Sequence, residues 1–587
     1  MTSKRNRGGQ TIYFEYDGLG RQTAKNRPQD PDVDFSYDGD GRLDEVNDGR
    51  SVANGGGLWK FRYTRLGEVN DVNYADIWHI GYEYDDRVRR NKMTNPDGTY
   101  ITYHYDEMGR LEEIKDENGN RIGEFYYDRL SRMTTMLLGN TNGTTYQYDI
   151  GGRLESMFIY CNWEDPETVE YDSYDKVGNR LSMEINGVEY GYKYDKLYEL
   201  VDVNYPSDPN VRYAYDKLGS RTDVAVAGGA TTDYSPNALN QYASVGGTSY
   251  IYDANGNLTD DGVYDYVYDC ENMLIEVKDG QTTVAEYRYD YMGRRIRSVV
   301  GDTEILYVWD GMHIIAEYEY DNDDYTLVRK YIYGRGVDQP LCMIVVNGEN
   351  ESWYYYQRDG LGSVVFLTTP GGSIVEGYTY DAFGATIVNT SAGNDENWAT
   401  ADGSTASASA YGNPYMFTAR RYDDATSLYY YRARYYNATI GRFLSTDPIG
   451  YADGFNLYSY AKNQPINNKD SSGLSCESEL QDCEDECQSL QISCVRRCMR
   501  GRGPQPGSPW YSRIKYKACM AMCQAEAVAC FAVCDVAYAG CVAKREVCEF
   551  VRSPVGQVVI GTVVIAGIVY LVVQTGGGAI ILVAAAA

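Results

Sequence analysis

Eleven cysteines crowd the last fifth of this chain, at positions 476, 483, 487, 494, 498, 519, 523, 530, 534, 541 and 548. Steps of four and seven residues place side chains on one face of a helix, and the combined eleven-residue period is close to that of a straight helix. The two groups mirror each other about residue 508, with steps of four, seven, four and seven outward on both sides. Cys498 then faces Cys519, Cys494 faces Cys523, Cys487 faces Cys530, Cys483 faces Cys534 and Cys476 faces Cys541. That is the register of an antiparallel helical hairpin. Disulfides so placed would each contribute about 2–4 kcal/mol to a core too small to stand alone. Metal chemistry is the alternative: Cys494, Cys498, Cys519 and Cys523 make a set for tetrahedral zinc, and a thiolate-lined bundle suits Cu(I). Mirror-symmetric pairing is what disulfides need, so the reading is a disulfide ladder with no cofactor and an oxidising destination. Cys548 is left without a partner in this register.

The elements around the cysteines agree with that reading. Arg500 to Ser508, RGRGPQPGS, holds glycine and proline that a helix does not tolerate. Ser508 and Pro509 supply an N-cap and a first helical residue. Ser475 caps the first helix in the same way, with Glu477 and Glu479 suited to its N-terminal dipole. Elsewhere the residue types are poor in chemistry. Three histidines, His79, His104 and His313, are scattered, and no zinc-protease motif, nucleophile elbow or phosphate-binding loop accompanies them.

Upstream, Tyr-Asp or a close variant recurs at Tyr16, Tyr37, Tyr63, Tyr84, Tyr105, Tyr127 and Tyr148 and continues to Tyr289, a step of roughly 21 residues in the solenoid range. A typical unit, YQYDIGGRLESM, alternates Tyr with polar residues, turns at Asp and Gly, and resumes after Arg. Each unit reads as a β-hairpin. One hairpin cannot bury its face, whereas stacked hairpins share a continuous sheet with Tyr rings packed across strands. Sixty tyrosines and sixty glycines against twelve phenylalanines suit sheets wetted on one face, since Tyr buries its ring and keeps its hydroxyl hydrated. The formal charge of −30 argues against nucleic acid as a partner of the whole chain. It comes largely from the repeat aspartates, which read as turn residues rather than calcium ligands.

The segment from Ala433 to Leu474 closes the repeats. Within it Arg-Tyr-Tyr, Gly-Arg-Phe, Asp-Pro-Ile-Gly, Asn-Leu-Tyr-Ser-Tyr and Asn-Gln-Pro occur in order. It resembles the core-associated motif of Rhs/YD-repeat proteins, a family that includes bacterial polymorphic toxins, insecticidal toxin-complex subunits and the teneurin shell. Asp359-Gly360-Leu361-Gly362-Ser363 and Tyr380-Asp381-Ala382-Phe383-Gly384 resemble the family's pre-core segment. The resemblance covers roughly residues 10 to 474 and implies a mainly β fold, a spiral sheet curved into a hollow shell. It also implies that everything after the Gly473-Leu474 pair is a variable cargo.

The same resemblance supplies the only catalytic candidate. In relatives two Asp-Pro-x-Gly elements, with an arginine shortly before the first, form an aspartyl autoprotease that frees the cargo. Here the matching residues are Asp447 and Asp470, with Arg442 positioning the pair. One carboxyl would activate water and the other protonate the scissile amide between Leu474 and Ser475. The departure is Ser471, where the family has proline and a restricted backbone. The plain alternative is that both aspartates only make turns. No catalysis on external substrates is expected.

From Val555 to Ala587 no charged residue occurs. VGQVVIGTVVIAGIVYLVV is long enough to span a bilayer as a helix, and Gly576-Gly577-Gly578 interrupts the run before a last apolar stretch. Lys544, Arg545 and Arg552 precede it, which by the distribution of positive charge would leave the hairpin cytoplasmic, in conflict with disulfides. The expected organisation is a YD-repeat β-shell over residues 1–384, a loop and pre-core segment over 385–432, the core motif over 433–474, the cysteine-rich hairpin over 475–552, a transmembrane helix over 555–575 and an apolar tail over 576–587. The function expected is a toxin-like carrier in intercellular competition, exported or at the cell surface without an evident signal peptide. Its expected partners are a membrane, an immunity protein, and secretion-apparatus or further shell components. A membrane-tethered, adhesion-type protein with a structural tail is the alternative.

Overall fold

The computed structural model describes residues 2–474, apart from a few short loop positions, and the backbone of 559–565, 568–574 and 580–586. The cysteine ladder from Cys476 to Cys541, Cys548 and the 475–552 hairpin lie outside the described residues. The chain divides into two units: Met1–Phe14, Ala24–Thr446 and Asn456–Gly473 in the first, and Glu15–Thr23, Asp447–Phe455 and Leu474–Ala587 in the second.

The repeat turn explains the repeat sequence. In the hairpin around Asp106, Tyr105 pairs with Leu111 across a register shift, the Asp106 N–H donates to the Arg110 carbonyl, and the Gly109 N–H donates to the Asp106 carbonyl. This is a tight turn closed by a bulge, and it needs a left-handed residue at its fourth position. Gly109 takes that position with φ +88°, while Val88 takes it at +65° in the preceding repeat. The aspartate side chain completes the turn. Asp128 Oδ1 accepts the N–H of Leu130 at 2.8 Å and of Arg132 at 3.0 Å, and Oδ2 accepts Arg132 Nε at 2.8 Å. The Arg132 guanidinium then lies 4.4 Å over the ring of Tyr148, in the next repeat. The Tyr148 hydroxyl in turn donates to the Met133 carbonyl at 2.8 Å. Arg110 over Tyr127 and Arg153 over Tyr174 repeat the arrangement. Tyr-Asp-x-x-Gly-Arg is therefore a coupling device: one turn's ion pair is stacked on its neighbour's tyrosine.

Stacked hairpins make two long antiparallel meanders, a 24-stranded sheet ending at Thr248–Ser249 and a 15-stranded sheet from Ile251–Tyr252 to Thr405–Ala406. Within the first unit the ribbon returns alongside itself. Tyr82 and Arg90 bond Asp310, Lys330 bonds Asp97, and Asn140 and Asn142 donate to the carbonyls of Thr369 and Gly372, contacts 220 to 233 residues apart in sequence. The apolar core joins both meanders, with Trp59, Trp78, Ile114 and Phe125 from the first and Leu306, Met343 and Leu367 from the second.

A four-stranded sheet follows: Arg421–Asp423, Leu428–Tyr431, Arg434–Asn437 and Arg442–Phe443. It straddles the boundary expected at residue 433, because buried Tyr429, Tyr430, Tyr431, Tyr435 and Tyr436 pack together across that point.

The C-terminal run departs from expectation. In place of a helix over 555–575 the second unit has strands Val559–Ile565, Ile568–Gln574 and Ile580–Ala586 in an antiparallel sheet. Valine, isoleucine and threonine dominate the first two strands, and Gly561 and Gly567 disfavour helix; β-branched chains pack better on a pleated surface. No helix among the described residues is long and apolar enough to cross a membrane.

Candidate processing site

The residues singled out for self-cleavage fall in different surroundings. Asp447 makes a turn of its own Asp-Pro-Ile-Gly element: Oδ1 accepts the Ile449 N–H at 2.9 Å, and its carbonyl accepts the Gly450 N–H at 3.0 Å. Arg442 is buried with its guanidinium 3.6 Å over the ring of Tyr242, and its Nη1 donates to the Asn240 carbonyl at 2.7 Å. Among the described residues it makes no ion pair with a carboxylate.

Asp470 is fully buried, and its arginine partner is Arg434, with Nη2 3.4 Å from Oδ2. Ser472 Oγ donates to Asp470 Oδ1 at 3.3 Å. Arg434 stands at the start of its strand, 3.6 Å over the Phe443 ring, and its Nη1 donates to the Leu457 carbonyl at 3.2 Å. The arginine beside this carboxylate is thus Arg434 rather than Arg442.

The backbone between Asp470 and Leu474 is held one carbonyl at a time. The Ser471 carbonyl accepts from Arg420 Nη1 at 2.7 Å and from Arg432 Nη1. The Ser472 carbonyl accepts the Ala433 N–H at 3.1 Å, and the Gly473 carbonyl accepts Arg434 Nε. Gly473 has φ +75°, and a side chain there would meet the Tyr431 carbonyl oxygen at 2.5 Å. Consecutive residues 432, 433 and 434 therefore grip consecutive carbonyls 471, 472 and 473. Arg-Ala-Arg-Tyr-Tyr is the sequence signal for this grip, but its target is legible only once the chain has folded back.

The other candidates are placed more simply. His79 and His104 lie on strands of the repeats, and His313 stacks on Tyr333 at 4.2 Å with burial pushing its imidazole down to about 4. Cys161, Cys270 and Cys342 are free thiols. Among the described residues no group of His, Cys, Asp and Glu is arranged to hold a metal ion.

Residues 4–177 and 164–466 match the family model for the teneurin YD-shell. The chain is 29% identical over 381 residues to the tRNA3(Ser)-specific nuclease WapA of Bacillus spizizenii, covering 63% of this chain and 15% of WapA. It is 25% identical over 388 residues to toxin protein Tse5 of Pseudomonas aeruginosa, covering 60% of this chain and 27% of Tse5. The crystal structure of TcdB2-TccC3 superposes with a TM-score of 0.65 at 19% identity over 80% of this chain and 27% of that one. The chain spans only between about a seventh and a quarter of the length of these proteins.

Proposed function

This chain belongs to the teneurin YD-shell family, and on that premise we propose that it is the shell part of a toxin-type carrier that cuts itself after Leu474 and so releases its C-terminal segment. The observation that carries this reading is the grip on residues 471–473 beside buried, arginine-paired Asp470, immediately before the expected junction. In the reaction, water adds to the Leu474 carbonyl carbon and the Leu474–Ser475 C–N bond breaks. Leu474 gains a carboxyl group and Ser475 an amine. The resemblance offers Asp470 and Asp447 as the carboxyls for general base and general acid, and Arg434 pairs with Asp470.

The released segment, residues 475–587, is the part that acts. Its run without charge from Val555 onward favours a membrane as its target, and its eleven cysteines suit a disulfide-stapled domain carried to an oxidising compartment. WapA and Tse5 are named as a nuclease and a toxin. A relationship to such proteins favours intercellular attack, a neighbouring immunity protein, and assembly with further shell or secretion components.

The test uses the full chain. After expression, N-terminal sequencing of the smaller fragment should begin at Ser475. Asp470→Asn and Asp447→Asn should each leave the chain intact. A folded wild-type chain that stays whole defeats the self-cleavage, and a harmless 475–587 segment expressed alone defeats the toxin assignment.

A further inference from the structure

Asp447 is followed by Pro448, but Asp470 is followed by Ser471, which leaves its backbone without proline's restraint. The fold supplies another restraint at that residue. The guanidiniums of Arg420 and Arg432 both donate to the Ser471 carbonyl, and both pair with Oδ1 of buried Asp338, Arg432 Nη2 at 2.8 Å. Arg432 is anchored a third time, donating Nε and Nη2 to the Met312 carbonyl at 3.2 and 2.9 Å. Arg432 and Asp338 have left-handed backbones, with φ +59° and +62°. Non-glycine residues hold that conformation where surrounding contacts over-determine it.

We infer that Arg420 and Arg432, tied together by Asp338, are positioning residues for the proposed self-cleavage, holding the Ser471 carbonyl in place of the restraint that proline would give. The inference rests on the self-cleavage reading. Its physical content is separate: two charge-assisted hydrogen bonds on one carbonyl restrict the 471 peptide plane, and the 433 amide and Arg434 extend the hold to the next two carbonyls. The Ser471 N–H donates to no described residue, so proline at this position removes no hydrogen bond among them.

The test compares full-length wild type, Arg420→Lys with Arg432→Lys, and that pair combined with Ser471→Pro. Lysine keeps the charge and loses the planar fork. Cleavage is followed in a cell-free translation chase, where the double lysine variant should cut at least tenfold more slowly. Adding Ser471→Pro should restore the rate to within threefold of wild type. A merely structural role for the arginines would not be rescued by proline. Hydrogen exchange at residues 472–474 in the uncut Asp470→Asn background gives a second reading. Exchange should accelerate about tenfold with the lysines and slow again with proline. If wild type cuts and the lysine variant cuts equally fast, or if proline fails to rescue a folded variant, the clamp is overturned and the self-cleavage reading stands. If wild type never cuts, the self-cleavage reading falls, and unchanged exchange in the lysine variant overturns the clamp as well.

Discussion

Replacing Glu317 by Gln should loosen the join between the core-motif sheet and the repeat ribbon, and should do so in a pH-dependent way. Glu317 is 0% exposed. Its carboxylate accepts Arg329 Nη1 at 2.9 Å, Arg421 Nη1 at 2.5 Å and the Tyr331 hydroxyl at 2.8 Å. Burial acts to raise its pKa, but the Arg421 and Arg329 charges outweigh burial and pull it from 4.5 down to about 2. A carboxyl depressed in the folded state stabilises above its unfolded pKa, and that stability is lost as pH falls through the folded value. The shift corresponds to roughly 3 kcal/mol, full above about pH 5 and gone near pH 2. For a body of this size that is a fall of about 3 °C in the unfolding midpoint. The assay is thermal unfolding of wild type and Glu317→Gln from pH 7 down to pH 2.5, followed by aromatic fluorescence. The gap between the two should be widest at pH 5–7 and close as the acid limb is reached. A gap independent of pH, or none at pH 7, would refute the assignment of the stabilisation to this carboxylate.

Other expectations follow from the same contacts. Asp128→Ala removes the side-chain acceptor of two backbone N–H groups and an ion pair from a partly exposed turn and should cost about 1–3 kcal/mol. Asp128→Asn keeps an acceptor oxygen and should cost under about 1 kcal/mol; equal losses in chemical denaturation would show that the turn bonds do not matter. In a non-reducing digest of the oxidised chain, peptides holding Cys498 and Cys519 should be linked, as should those with Cys487 and Cys530, and mostly reduced thiols with bound metal would replace the ladder by a metal carrier. A reporter fused to residues 475–587 should resist carbonate extraction from membranes and become extractable when Val555 onward is removed. Full extraction of the intact fusion would remove the membrane from the reading.

The repeats were legible because their logic is local. Asp, Gly and Arg within five residues build one turn, and the next tyrosine receives the arginine, so spacing alone reveals the device. The return of the ribbon was not legible, since Tyr82 meeting Asp310 depends on how much each hairpin twists and not on any pattern in sequence. The same divide runs through the C-terminal run, where length and lack of charge pointed to a bilayer helix. The structure instead follows the β-branched composition of Val559–Ile565 and Ile568–Gln574.

At the candidate processing site the divide has a chemical consequence. Residue type singled out Asp470 as a candidate, but the nearest arginine in sequence before the first Asp-Pro element, Arg442, is committed to Tyr242. Arg434 reaches Asp470 only because the chain from 456 to 473 folds back beside the strand that starts at Arg434. Asp338, which has no sequence signature at all, ties together the two guanidiniums over Ser471. The substitution of serine for proline looked like a defect when judged by the dipeptide. In the fold the restraint comes from across the chain, from residues 420 and 432, so the local irregularity is no evidence against a positioned backbone.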